Sequence, residues 1–445
     1  MNGPGRLLNI LGLGFGLAGA IGGTIGAGIL RTPGLVAAQL PSAPLVLGAW
    51  LVGGIYALLG AICIAELAAS LPRAGGWYLY AERAFGPRAG FLVGWTDWLA
   101  HCIGLAWVAT TVGEYGQVLL PDPWRLMPHP AQVLGLVAIG LFTLIQLRGL
   151  RTGSASQELL SLVKAVAFLA LVAACFLLPS PAALAGASAP PGPALPPDWR
   201  QLTIPVVLGL QAVITTYDGW ASPVYFAEEF SEPERDLPRS LIGGVLAVTA
   251  LYLLINLALL HVLPIAQLAS SSLPAATAGR ALAGPLGGNL ITALALVSLL
   301  GLINTVVMAA PRILYGLGRD GLVPGYLAAV NDGGTPTVAL LLTSTAAAGL
   351  VLAGSFQRLL AMGAVLYVSL PLAGIAALVA LRLQEPELPR PFRSWGYPLT
   401  PLLVAAVSLA FLVGAFVSDW VDCLAALGLV VLGCFAPSIR APAPP

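Results

Sequence analysis

Lysine occurs once in this 445-residue chain and histidine three times, and charged residues of all kinds make up 9% of it, against about 25% in ordinary soluble domains. So little charge excludes a cytosolic globule, and it leaves no basic stripe for nucleic acid. Disorder is excluded as well, because 58% of the residues are apolar and ten are Trp, more than hydration can keep unfolded. The five cysteines, Cys63, Cys102, Cys175, Cys423 and Cys434, have no CxxC spacing and no neighbouring His cluster. They read as small core residues, not as a disulfide frame or a metal site. GxSxG, HExxH and paired intramembrane aspartate motifs are missing too, so no catalytic residue, metal or cofactor is expected.

What the chain has in abundance is apolar length. Runs of about 20 apolar residues suit a bilayer, and twelve occur, at roughly 8–38, 43–71, 89–120, 131–147, 157–178, 203–227, 238–262, 286–317, 337–354, 358–382, 398–417 and 420–437. They lack the alternation of barrel strands, so the expectation is an all-α membrane protein with twelve transmembrane helices. Arg6 followed by an apolar stretch and Ala18-Gly19-Ala20 imitates a cleavable signal, but the apolar run continues to about residue 38. Low-complexity sequence is confined to Pro179–Pro197 and Pro437–Pro445, both read as solvent segments.

Arginine placement gives the orientation. With a cytoplasmic N-terminus the inner segments hold fourteen arginines, among them Arg6, Arg73, Arg148, Arg235, Arg319, Arg390 and Arg440, and the outer loops four, Arg125, Arg200, Arg280 and Arg358. That bias places both termini in the cytoplasm of a multi-pass cell-membrane protein, in keeping with a bacterial inner membrane.

Glycine is concentrated in the first run. Gly12 with Gly16, and Gly19 with Gly23, have GxxxG spacing, which reads as close helix packing. The cluster Gly22-Gly23-Thr24-Ile25-Gly26-Ala27-Gly28 forfeits about 1 kcal/mol of helix propensity per glycine, a cost that makes sense where backbone leaves the helix to meet a ligand. The sixth run carries a matching interruption, Thr216-Tyr217-Asp218-Gly219-Trp220-Ala221-Ser222-Pro223. Runs one and six open two successive groups of five, and five is odd, so the second group inserts upside down. Paired broken helices in inverted repeats point to a transport site. Half-helix N-termini suit a carboxylate and C-terminal carbonyls an ammonium, so a zwitterionic amino acid is the natural ligand.

GGTIGAGILRTP (22–33), AELAASLPRAGGWYLYAERAFGPRAGFLVGW (65–95), YDGW with EEFSEPERDLPRS (217–240), PRILYGLGRDGLVP (311–324) and RPFRSWGYPLTP (390–401) occur in that order. With these segments the chain resembles the amino acid, polyamine and organocation superfamily of LeuT-type transporters, closest to the bacterial relatives of the L-type amino acid transporters. The resemblance implies a 5+5 inverted repeat, with residues 1–180 and 200–383 as the two halves and 395–437 as spans 11 and 12. It implies secondary active, sodium-independent transport of small to medium neutral L-amino acids. By the same resemblance, backbone around Thr24, Ile25, Gly26, Ala27 and Gly28 holds the substrate carboxylate, and Tyr217, Asp218 and Gly219 hold the α-amino group. Two departures stand out. Ala27 replaces a Ser that the family often carries, and Thr215 replaces a bulky aromatic gate, which leaves substrate size and gating open. Trp220 and Arg31 are the other gate candidates.

Lys164, the single lysine, lies inside the fifth run, where an isolated ammonium costs about 2.5–3.5 kcal/mol even on lenient scales. The resemblance places it where sodium-coupled relatives bind a sodium ion, bridging spans 1, 5 and 8. Either it carries a proton through the cycle or it is a permanently charged strut. Asp218 reads as the N-cap of the second half-helix. Glu66 and Glu114 read as interface residues or as partners of an Arg. Asp97 and His101, one turn apart, read as a satisfied structural pair, with a proton relay as the other use of that spacing. Trp107, Thr111, Asn304 and Tyr367 are packing elements or site lining. The partners expected are an amino acid, protons in the symport variant, and lipid. A cationic amino acid or polyamine exchanger of the same fold, and a non-transporting amino acid receptor, are the rival functions.

Eukaryotic L-type relatives attach a second subunit through a cysteine between spans 3 and 4, and residues 114–132 hold none. The purified single chain is therefore expected to move amino acids in proteoliposomes. Activity that appears only with a second protein would refute this.

Overall fold

The computed structural model describes residues 7–121, 128–179, 202–353, 356–418 and 420–434. Arg6, Arg125, Arg200, Arg440, the stretch 180–197 and the tail 437–445 lie outside the described residues.

Every expected apolar run is helical. The first is a broken pair, α1 (Leu13–Thr24) and α2 (Gly28–Gln39), bent by 46°. Then come α3 (Ala43–Ser70), a short α4 (Trp77–Phe85), α5 (Pro87–Leu119), α6 (Pro130–Leu147) and α7 (Leu150–Leu177). The sixth run is α8 (Thr203–Tyr217) followed by a 3₁₀ helix (Ser222–Glu229). After it stand α9 (Pro233–Val262), a six-residue α10 (Ile265–Ser270), α11 (Pro274–Arg319), α12 (Thr337–Ala353), α13 (Phe356–Gln384), α14 (Leu399–Ser418) and α15 (Trp420–Cys434). Among the described residues eight helices are long and apolar enough to cross a membrane, the bent pair makes a ninth, and Thr337–Ala353 and Trp420–Gly433 are shorter apolar helices.

Proline opens α5, α6, α9 and α11, positions where its missing N–H costs nothing. Two boundaries differ from the apolar reading. The α7 helix starts at Leu150 because its first two turns are polar, and α11 runs back to Pro274 through a kink at Ala283 and Gly284.

Small residues set the helix contacts, as packing without a hydrophobic drive requires. Gly16 backs onto Ser240 and Phe230, and Gly244 of α9 onto Ala20. The GxxxG reading holds for Gly16 and Gly23 only, since a Cβ on Gly12 or Gly19 would meet nothing within 4 Å. Each half of one broken element packs on the opposite half of the other, α8 on α2 and the 3₁₀ helix on α1.

Ion pairs close the face where the chain begins. Ile10 and Leu11 donate their N–H groups to the Glu229 carbonyl at 3.0 and 2.8 Å. The Glu229 carboxylate grips Arg312 at 2.5 and 2.8 Å, with Phe226 stacked on the guanidinium. Beside it Arg319 holds Glu228 and Asp320, and Arg73 reaches Asp320 at 2.8 Å. Burial acts to raise the Asp320 carboxyl, but hydrogen bonds from Arg319 and Tyr78 and the Arg charges hold it below its usual range. Glu66 is paired as expected, with Arg382 and Arg390 from the far end of the chain. These contacts tie α3, α11, α13 and the 3₁₀ helix together beneath the breaks.

Glu229 is fully buried and Arg312 is 3% exposed, so Glu229→Ala leaves an uncompensated guanidinium and is expected to cost about 3–5 kcal/mol. The measurement is the thermal midpoint of the purified protein in detergent. Glu232→Ala, which breaks the exposed pair with Arg235, is the control and should leave the midpoint in place. An unchanged midpoint in Glu229→Ala would show that Arg312 needs no partner there.

Candidate binding site

Ending α1 at Thr24 strands its last carbonyls, because the four C-terminal C=O groups of a helix have no intrahelical partner. Two side chains collect them. Lys164 of α7 donates from Nζ to the carbonyls of Gly22 at 2.9 Å and Ile25 at 3.0 Å. Tyr252 of α9 donates to the Thr24 carbonyl at 3.0 Å. The same hydroxyl faces the Thr216 carbonyl at 3.2 Å, so one tyrosine serves the carbonyl ends of both broken elements. Lys164 is completely buried, sits against Gly301 of α11, and has no carboxylate within ion-pair distance among the described residues.

The second break is a turn over Asp218–Ala221. Gly219 adopts φ +105°, a left-handed conformation that glycine takes at no steric cost. A side chain there would run into the carbonyl of Gly23, and one on Gly23 into Ser222 and the Gly219 carbonyl. The two breaks therefore touch backbone to backbone. Ser222 Oγ donates to the Gly219 carbonyl at 2.6 Å, and Thr32 and Thr216 share a hydrogen bond at 2.8 Å.

Between the breaks lies a cavity. Gly23, Thr24, Gly26, Ala27 and Gly28 line one side, and residues 215–220 line the other. Gly28 opens α2, so the free N–H groups and positive end of that helix border the space. Tyr56 of α3, His101 and Trp107 of α5, Tyr367 of α13 and Val404 of α14 complete the walls.

The structure thus gathers Thr24, Gly26, Ala27, Gly28, Thr215, Tyr217, Asp218, Gly219 and Trp220 on one cavity. Ile25 and Lys164 stand behind the wall, joined by the Ile25 carbonyl. Tyr217 Oη is committed to the Trp50 carbonyl at 3.1 Å, Thr215 Oγ1 to the Gln211 carbonyl, and Trp220 packs edge-on against Trp77. Arg31, one turn into α2, hydrogen-bonds Tyr115 and lies outside the lining.

Two expectations need correction, the Asp218 cap and the full satisfaction of the Asp97–His101 pair. Asp218 does not cap the second half-helix. It terminates α8, its carboxylate takes the Gly219 N–H, and the 3₁₀ helix starts from Ala221 with no side-chain cap. Thr111 folds back on the Trp107 carbonyl and Asn304 joins Gln146 and Gln157 in a polar knot, as packing elements do, whereas Trp107 and Tyr367 line the cavity. The Asp97–His101 pair forms, with Nδ1 to Oδ1 at 3.1 Å, and Tyr225 adds a bond at 3.0 Å, yet Asp97 Oδ2 is buried without a partner. Tyr252 and Tyr56 were missed. A tyrosine inside an otherwise apolar run, as in Leu251-Tyr252-Leu253, is the signal that could have found the first.

The sequence pattern of the amino acid permease family matches residues 11–422. The chain belongs to that family. It is similar to the serine/threonine exchanger SteT of Bacillus subtilis, 28% identical over 417 residues that cover 93% of this chain and 92% of the exchanger. A methylthioribose transporter of the same organism is 27% identical over 413 residues, 88% and 85% of the two chains. The Asc-type amino acid transporter 1 of Mus musculus is 29% identical over 432 residues, 93% and 77%. As an amino acid permease the protein is a multi-pass membrane transporter of amino acids, and not an enzyme.

Gly219→Ala puts a side chain against the Gly23 carbonyl at a φ that alanine rarely adopts. It is expected to weaken amino acid binding by at least about tenfold while the permease still reaches the membrane. Equilibrium binding to the purified variant checks this, and unchanged affinity would mean that the backbone contact between the breaks does not shape the site.

Proposed function

We propose that this permease is a sodium-independent secondary active transporter of small to medium neutral L-amino acids that works by alternating access. The observation that carries the reading is the Lys164 ammonium between the carbonyls of Gly22 and Ile25. Unwound carbonyls at such breaks otherwise coordinate a free cation, and a tethered ammonium takes that place.

In this reading the substrate carboxylate meets the opening turn of α2, at backbone from Thr24 through Ile25, Gly26 and Ala27 to Gly28. The α-amino group meets Tyr217, Asp218 and Gly219. Thr215, Trp220 and Arg31 act in gating. The chain is a twelve-span LeuT-type bundle of two inverted halves, 1–180 and 200–383, with 395–437 appended and both termini in the cytoplasm. The crossed packing of α8 on α2 and of the 3₁₀ helix on α1 supports the inverted halves, and the arginine bias supports the orientation. The walls are largely apolar, Asp218 is the one carboxylate among the lining residues, and its bond to the Gly219 N–H supports a neutral cargo. The name of the Bacillus serine/threonine exchanger is in line with this.

A second reading, a cationic amino acid or polyamine exchanger, is favoured by one observation: Asp218 is free of any capping duty and borders the cavity. Competition of labelled uptake by alanine, serine, leucine, phenylalanine, arginine and putrescine separates the two. Dominance of the last two would overturn the neutral assignment.

Replacing sodium by choline is expected to leave uptake into proteoliposomes unchanged. Lys164→Ala strands two carbonyls and is expected to cut uptake at least about tenfold while the protein stays folded. Uptake that climbs steeply with sodium at fixed pH would sink the sodium-independent reading.

A further inference from the structure

His101 is pinned at one nitrogen and open at the other. Nδ1 faces the Asp97 carbonyl at 2.9 Å and the Asp97 carboxylate at 3.1 Å. The ring edge stands on the cavity wall, and Nε2 has no protein partner among the described residues. Behind it Asp97 is completely buried, with Oδ1 shared by His101 and Tyr225 and Oδ2 unpartnered. Ionisable groups at this depth of a spanning helix mark ion and proton pathways.

We propose that Asp97 and His101 form a proton-binding site opening on the substrate cavity, that the cavity closes only when this site holds its proton, and that amino acid uptake is thereby coupled to proton uptake. This rests on the reading of that cavity as the amino acid site.

The argument is one of charge. With a proton on each nitrogen, the imidazolium and the Asp97 carboxylate sum to zero, and Nε2–H belongs to a ring that lines the cavity. When Nε2 gives its proton to cavity water, Nδ1–H still holds Oδ1, but the carboxylate charge is left uncompensated. An unpaired charge is tolerated beside water and is costly once water is expelled. A cavity shut around a zwitterion therefore requires the proton in place. Opening to the less acidic side lets Nε2 release it to water together with the cargo. The proton enters and leaves as hydronium, so nothing else is consumed.

The surroundings leave two titratable units on the cavity, this pair and Asp218, and the His101 variants below tell them apart. From the elements packed on α5 the groups that face the pair are Tyr225 of the 3₁₀ helix, Tyr367 of α13 and, across the cavity, Asp218, with Cys102 adjoining on α5 itself. Tyr225 also accepts from Trp77 Nε1 at 2.9 Å, which fixes its hydroxyl proton on Asp97. Of the four ionisable groups of α4, Tyr78 and Arg83 are bound to Asp320 and Glu385, Glu82 faces the Asp320, Arg73 and Arg319 cluster, and Tyr80 is buried; Arg312 of α11 is bound to Glu229.

The test counts protons per amino acid in proteoliposomes, with labelled alanine for cargo and a trapped pH indicator for protons. Wild type should carry about one proton per alanine, with uptake accelerated by an acidic exterior. His101→Asn, which keeps a donor near Asp97 but cannot titrate, and His101→Gln should lower that ratio at least about tenfold at whatever rate remains. A wild-type ratio near zero with intact alanine uptake overturns the proton site and leaves the cargo reading standing. Failure of every neutral amino acid to enter overturns the cargo reading instead. Unchanged stoichiometry in either variant also overturns the assignment, since the proton would then ride elsewhere. Should neither variant fold, Asp97→Asn is judged by the same ratio and the same outcomes.

Discussion

A membrane helix that stops halfway leaves carbonyls facing a medium that cannot solvate them, and the centre of this protein is arranged around that problem. The Lys164 ammonium and the Tyr252 hydroxyl supply the donors. The ammonium in turn is buried without a carboxylate and is tolerated because those carbonyls surround it. Each side of the contact answers the other's desolvation. The break and the lysine form one unit, and α1, α7 and α11 are held in register by it, with Gly301 leaving the room the long side chain needs.

Much of this was legible because it is written in composition and spacing. Apolar length located the long helices, though not the short α4 and α10. The glycines from Gly22 to Gly28 and the Tyr217-Asp218-Gly219 interruption marked both breaks, since a helix-breaking cluster inside an apolar run is costly unless the backbone has to leave the helix there. A lone lysine in the fifth run announced a compensating partner. Less could be read where partners are far apart in the chain. Nothing local in Glu66 names Arg382 or Arg390, and nothing in Tyr252 says that its hydroxyl will sit between Thr24 and Thr216.

Asp218 and Asn304 show how far polarity in a span can be read. Asp218 was expected to cap a regular α-helix, but the chain resumes as a tight 3₁₀ segment four residues later, so the carboxylate takes only the Gly219 N–H and stays beside the cavity. Asn304 was read as packing or lining because an amide in an apolar helix needs company. It found that company in Gln146 and Gln157. Polarity in a span signals that a partner exists, and only the fold says whether the partner is a ligand or another side chain.

The backbone contact between Gly23 and Gly219 also bears on how such a carrier can diversify. Neither position accepts a side chain, so the point where the breaks touch is closed to ordinary substitution. The other walls are under no such backbone bar: Tyr56, Trp107, Tyr367 and Val404 belong to four different helices and meet the cavity with side chains. A lineage built this way can exchange one cargo for another by changing the side chains around a fixed backbone contact, in line with similar proteins that include both a serine/threonine exchanger and a methylthioribose transporter.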